Sequence, residues 1–104
     1  MEVLILKLVT GEDVVGSVDD TGESYTVVEP VRLNMAPNPD KAGSFRLVVE
    51  PWAPYAKDNT VSIFKNTVVA CFAPDEHISA EYAKRGAFRP AMKPNPELLQ
   101  ENVQ

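Results

Sequence analysis

A chain of 104 residues, with 44% hydrophobic and 24% charged positions, has the composition of one ordinary globular domain with a modest core, which excludes wholesale disorder. Its net charge of −5 excludes the broad basic face that grips duplex nucleic acid by neutralising many phosphates, although a few basic side chains focused around a pore are compatible with it. One cysteine, Cys71, excludes an intrachain disulfide, and one histidine, His77, excludes His-rich metal or catalytic sets.

Residues 3–9 predict a strand with Leu4, Leu6 and Leu8 on one face and Val3, Ile5, Lys7 and Val9 on the other. Both faces are largely apolar. Lys7 interrupts this run, and with no basic n-region or cleavage site it does not read as a secretory leader. The single cysteine reads as intracellular, and no stretch approaches the ~20 apolar residues of a membrane helix, so a cytoplasmic protein with no membrane partner is expected. Thr10, Gly11, Glu12 and Asp13 supply turn chemistry, and residues 14–18 return as the second strand of a hairpin. Gly16 inside that strand marks a bend, a bulge or a close backbone approach.

A second polar turn, residues 19–24, leads into Tyr25, Thr26, Val27 and Val28, and the run resumes at residues 31–35 after Glu29-Pro30. The proline removes one ladder donor and predicts a kinked strand. Residues 36–44 form a loop, and residues 45–50 form a strand ended by Pro51. Glu29-Pro30 and Glu50-Pro51 flank that loop at nearly matched distances, so pairing of the two strands would bring both kinks together. Residues 52–60 read as a bend or projecting loop, in which Trp52 and Tyr55 either stand exposed for a partner or cap an open end of the fold.

Residues 61–64 and 67–72 flank the polar pair Lys65-Asn66, the composition of two hairpin arms joined by a tight turn in which Asn66 tolerates a left-handed backbone. The second arm is almost wholly apolar, which predicts cover on both faces by the fold or by another subunit, with Cys71 in core or interface packing. A basic residue at such a tip is a natural place to hold a phosphate or a base. Residues 75–86 carry acids early, bases late and a glycine stop, and predict the chain's one helix, with His77 on its surface. Residues 87–104 contain Pro90, Pro94 and Pro96 and few apolar side chains; they predict a Pro-rich tail that orders on contact, with Leu98-Leu99 as a docking handle.

In this order of parts, residues 3–74 resemble the Sm and Sm-like (LSm) family. Leu6-Lys7-Leu8-Val9-Thr10-Gly11 and Gly16-Ser17-Val18-Asp19-Asp20 match its first motif, in which a strand ends at a turn and a glycine follows in the next strand. Tyr25 falls at the base-stacking aromatic position, Thr26 stands where an asparagine is usual, and an acidic residue near Asp19 or Asp20 helps orient the base-contacting loop. In the second motif an apolar strand ends in Arg-Gly; here Ile63-Phe64-Lys65-Asn66-Thr67-Val68-Val69 takes that place. Lysine keeps the charge without the planar fork of arginine, and the glycine is lost. The chain begins almost directly with a strand where the family places a helix. With its Pro-rich tail it is similar to small Sm-like proteins of marine cyanophages, for which host cytoplasm is the expected location.

The resemblance implies an all-β fold: a small, strongly bent five-stranded Sm-like barrel with a short C-terminal helix over residues 1–86, then the tail over residues 87–104. It implies a homo-oligomeric ring that binds single-stranded RNA or DNA at its pore through Asp20, Tyr25, Thr26, Lys65 and Asn66, with no cofactor and no catalysis. Aromatic stacking contributes about 1–3 kcal/mol per base, which gives Tyr25 a rationale; the alternative is a tyrosine half-buried at a strand start. Lys65 and Asn66 likewise form either a grip on phosphate and base or a solvated turn. Asp19, Asp20 and Glu23 do not have the spacing of a Ca²⁺ loop, and no nucleophile stands with a base. The competing reading is a structural or adaptor oligomer that recognises protein through Trp52, Tyr55 and the tail. In that reading the net acidity is an advantage.

Overall fold

A computed structural model describes the backbone of residues 1–92 and side chains through residue 84. Its strands are β1 (Glu2–Leu8), β2 (Asp13–Asp20), β3 (Ser24–Pro37), β4 (Phe45–Pro51), β5 (Thr60–Phe64) and β6 (Val68–Phe72), followed by a helix, α1 (Glu76–Met92). They form one antiparallel sheet in the order β4-β3-β2-β1-β6, with β5 off this path against β3. The long β3 is the spine. Its first half pairs with β5 from Ser24↔Phe64 to Val28↔Thr60, and its second half pairs with β4 from Val31↔Pro51 to Pro37↔Phe45.

Strand alternation divides the apolar residues between two faces, and each face builds its own core. On one, Leu6, Leu8, Val14, Val18, Val27 and Ile63 are buried together, with Leu4, Tyr25, Trp52, Val61 and Val68 packed against them. On the other, Ile5, Val15 and Val31 are buried with Tyr82 of α1, flanked by Val3, Leu33, Val49 and Ile78. The two apolar faces of β1 are therefore both used. Each fully buried aliphatic side chain contributes about 1.5–3 kcal/mol, so neither layer is dispensable in a chain this short.

The sheet bends where β2 passes the middle of β3. Val15 pairs with Val31 but Ser17 pairs with Val28, so Glu29 and Pro30 bulge opposite Gly16. A Cβ on Gly16 would lie 2.3 Å from Val27 Cγ1 and 3.1 Å from the Val28 carbonyl oxygen, so only glycine admits this approach. Glu29 takes a φ of 59°, in the left-handed region. Val31 faces Pro51 and Arg32 faces Glu50, which sets the two Glu-Pro pairs side by side as their matched spacing implied. The Trp52 amide donates to the Pro30 carbonyl at 3.1 Å. Arg32 Nε donates to Glu50 Oε1 at 3.1 Å, and the Trp52 indole N–H donates to Glu12 Oε2 at 3.3 Å. Trp52 thus packs against the core, as the capping alternative has it.

Several expectations are corrected. The sheet has six strands, not five, and among the described residues β5 and β6 do not pair, so it is not closed by hydrogen bonds. Residues 61–64 and 67–72 are not arms of one hairpin. A 3₁₀ turn, Lys65–Thr67, joins them and sends β5 to β3 and β6 to β1. Asn66 is not among the left-handed residues, because a 3₁₀ turn between extended flanks needs no positive φ. The fold does not cover β6 on both faces: Val69 is 65% exposed, Phe72 44%, and Cys71 is exposed. Gly86 does not stop the helix, which begins after Asp75, whose Oδ1 accepts the Ile78 amide at 2.9 Å, and continues to Met92. Of the expected tail, residues 93–104 lie outside the described residues.

Candidate nucleic-acid interface

Two turns distant in sequence are stitched together at one end of the sheet. Between β2 and β3, the Thr21 amide donates to the Ser24 carbonyl at 3.0 Å and the Thr21 hydroxyl to the same oxygen at 2.9 Å. Gly22 takes a φ of 101° that a side chain would strain, and its amide donates to Asp20 Oδ1 at 3.0 Å. The Lys65 amide then donates to the Glu23 carbonyl at 2.9 Å. This bond holds the 3₁₀ turn against the β2–β3 turn, and it delivers the Lys65 side chain to Asp20.

Asp20 faces Tyr25 across the β2–β3 ladder, and Tyr25 faces buried Ile63 across the β3–β5 ladder. Both point to the face that holds the leucine core, so Tyr25 is anchored in that core along one flank. Lys65 Nζ lies 2.7 Å from Asp20 Oδ1 and 5.1 Å from the Tyr25 ring centroid. The Lys65 ammonium, and then the Gly22 amide, hold the Asp20 carboxyl below its ordinary value of 3.8. Its bond to Asp20 in turn raises the Lys65 ammonium above 10.5. Both groups are charged across the whole neutral range.

Beside this cluster runs a shallow, open groove of ≈ 610 Å³, lined by Asp20 and Tyr25, by apolar Leu4 and Val18, and by Met1, Glu2, Asp19 and Cys71. An ammonium with donors to spare, an aromatic ring and a carboxylate at the rim of a groove make up a set suited to phosphate, base face and base edge.

Of the five expected site residues, Asp20, Tyr25 and Lys65 are brought together. Thr26 pairs with Asp19 and Ser62, and by alternation it lies on the face opposite Tyr25. Asn66 is exposed in the 3₁₀ turn, outside the Asp20–Lys65 contact. Sequence reasoning missed the Gly22 amide and the Glu23 carbonyl as the parts that fix the site; the Asp-Thr-Gly order after β2 was the available signal. Tyr55, at 98% exposure, stands apart from the cluster on the 52–60 loop. Among the described residues no group of three or more His, Cys, Asp or Glu is placed to hold a metal, and no helix is long and apolar enough to cross a membrane.

Fold and site together define a bent antiparallel β module with a basic, an aromatic and an acidic side chain clustered at one end of the sheet. No protein-family model matches the chain, and no curated protein matches it.

Proposed function

We propose that the protein is an Sm-like, non-enzymatic protomer of a homo-oligomeric ring that binds single-stranded nucleic acid, RNA above all, around a shared pore. The observation that carries the reading is the convergence of Lys65, Tyr25 and Asp20 from two turns far apart in sequence. An ammonium has three N–H donors, and Asp20 takes one; the other two serve a phosphate or a base carbonyl. Tyr25 offers its ring as a stacking platform.

Assembly into a ring is supported by two borders of the sheet that are open among the described residues. β6 ends the sheet on one side and carries Val69 and Phe72 exposed; β4 and β5 end it on the other and carry Phe45 and Phe64 exposed. Unpaired, apolar borders of unlike sequence favour head-to-tail pairing of copies, which closes into a ring when the rotation per subunit allows. The test is a titration of the intact oligomer with labelled oligo-U and oligo-A at two salt concentrations. Salt-sensitive binding that Lys65→Ala and Tyr25→Ala each weaken by about tenfold or more supports the reading.

A second reading, an adaptor oligomer for protein partners, is favoured by Tyr55 at 98% exposure on its loop and by the net charge of −5. Its outcome in the same titration is no binding of either oligonucleotide at any salt.

A further inference from the structure

We propose that the groove beside Tyr25 selects bases that carry an exocyclic amino group, adenine, cytosine and guanine, over uracil. This deepens the nucleic-acid reading above and rests on it. Every charged side chain lining the groove is acidic: Glu2, Asp19 and Asp20. By strand alternation Glu2 and Asp20 share the face that holds Leu4 and Val18, and the register Glu2↔Val18 sets them at the same end of the sheet. Among the described residues, the two contacts of Asp20, from Lys65 Nζ at 2.7 Å and from the Gly22 amide at 3.0 Å, fall on Oδ1. Oδ2 keeps its full capacity to accept.

Ionised carboxylates only accept hydrogen bonds, so a base edge entering beside Tyr25 meets acceptors and needs to bring donors. Adenine N6, cytosine N4 and guanine N2 each bring an amino group, whereas uracil brings two carbonyl oxygens about a single N–H. A uracil edge can give that one N–H, but it sets the two flanking oxygens against carboxylates and desolvates them without a bond. The same acidity repels phosphate from the groove. Lys65, whose side chain is 35% exposed, keeps its two free N–H donors for the backbone at the rim. Base inward and phosphate outward sets the donor-bearing edge against the carboxylates and the phosphate against Lys65.

The experiment uses nine-nucleotide RNA probes of uridine with one central position varied as adenosine, cytidine, purine riboside or uridine. All four carry the same charge, so the phosphate contribution cancels in the ratios. The expected result is that adenosine and cytidine probes bind about tenfold more tightly than purine riboside and uridine probes, the measure of one hydrogen bond to a charged acceptor. Asp20→Asn, which places a donor beside the acceptor, is expected to bring those ratios to within about twofold. Equal affinity for all four probes, still salt-sensitive and still dependent on Lys65, overturns the selection and leaves the nucleic-acid reading standing. Ratios unchanged in Asp20→Asn overturn it as well. No binding of any probe overturns both.

Discussion

Asp20 and Lys65 are each perturbed in the direction that favours their charged forms, so their contact ties the fold to pH at both extremes. The Asp20 carboxyl is depressed below 3.8, so its contribution is fully present above the unfolded value and is lost as pH falls through the folded one. For Lys65, raised above 10.5, the contribution is present below the unfolded value and is lost as pH rises through the folded one. Between those limits the pair is constant. The expected outcome for Lys65→Met is an Asp20 carboxyl resonance whose titration midpoint moves up toward 3.8, stopping short of it because the Gly22 amide still donates. A midpoint unchanged from the parent would mean that the two side chains do not meet in solution. At this scale the motif positions single out Asp20, Tyr25 and Lys65, and the structure sets these three side chains together. Thr26 was not separable from Tyr25 by motif alone, because adjacent strand residues point to opposite faces and only the register says which face holds the site.

The bend in β3 depends on two residues that touch it from opposite sides, Gly16 of β2 and Tyr82 of α1. A methyl group at position 16 meets Val27 Cγ1 at 2.3 Å inside the leucine core, so Gly16→Ala is expected to destabilise by about 1–3 kcal/mol in chemical denaturation. Val27→Ala in the same chain removes the clashing methyl groups, so the double variant is expected to lose less than the sum of the two singles. Additive losses would place the strain elsewhere. On the other face, the Tyr82 hydroxyl donates at the bulge, 3.2 Å from the Val28 carbonyl and 3.1 Å from the Glu29 carbonyl. Tyr82→Phe leaves the ring in place and removes that donor, for an expected cost of about 1–2 kcal/mol by thermal or chemical unfolding. The glycine was legible because glycine inside a strand has few uses; Tyr82 was not, since helical periodicity says which side of a helix is apolar and not which carbonyls it will meet. The same limit explains the misread hairpin. Two β-forming runs around Lys65-Asn66 have one local composition whether they pair with each other or, as here, with β3 and β1, and that choice is made by residues far away.

Among the described residues both borders of the sheet are unpaired, with Val69 65% exposed on one and Phe64 62% exposed on the other. Such borders favour association, and the ring reading makes two measurable claims about it. The first concerns mass: native mass spectrometry is expected to return a discrete multiple of one chain, and Val69→Lys, which sets a charge on the β6 border, is expected to return single chains with unchanged far-ultraviolet circular dichroism. Loss of the β spectrum in that variant would mean that β6 cannot fold alone. The second concerns charge. One lysine that neutralises one phosphate of a single strand gives log K against log salt a slope of about −0.7, so an isolated protomer that engages RNA through Lys65 alone should not exceed it by much. A ring gathers one Lys65 from every subunit, and the slope should steepen roughly in proportion to the number engaged. Because the chain is acidic overall, nonspecific attraction supplies no competing source of steepness, and the groove carboxylates act in the opposite sense. A slope near −2 or steeper that falls to about −0.7 in Val69→Lys would count the lysines and show that assembly brings them together. A shallow slope from an intact oligomer would mean that the Lys65 side chains of neighbouring copies do not share one strand, and the case for a pore would fail even if the mass held.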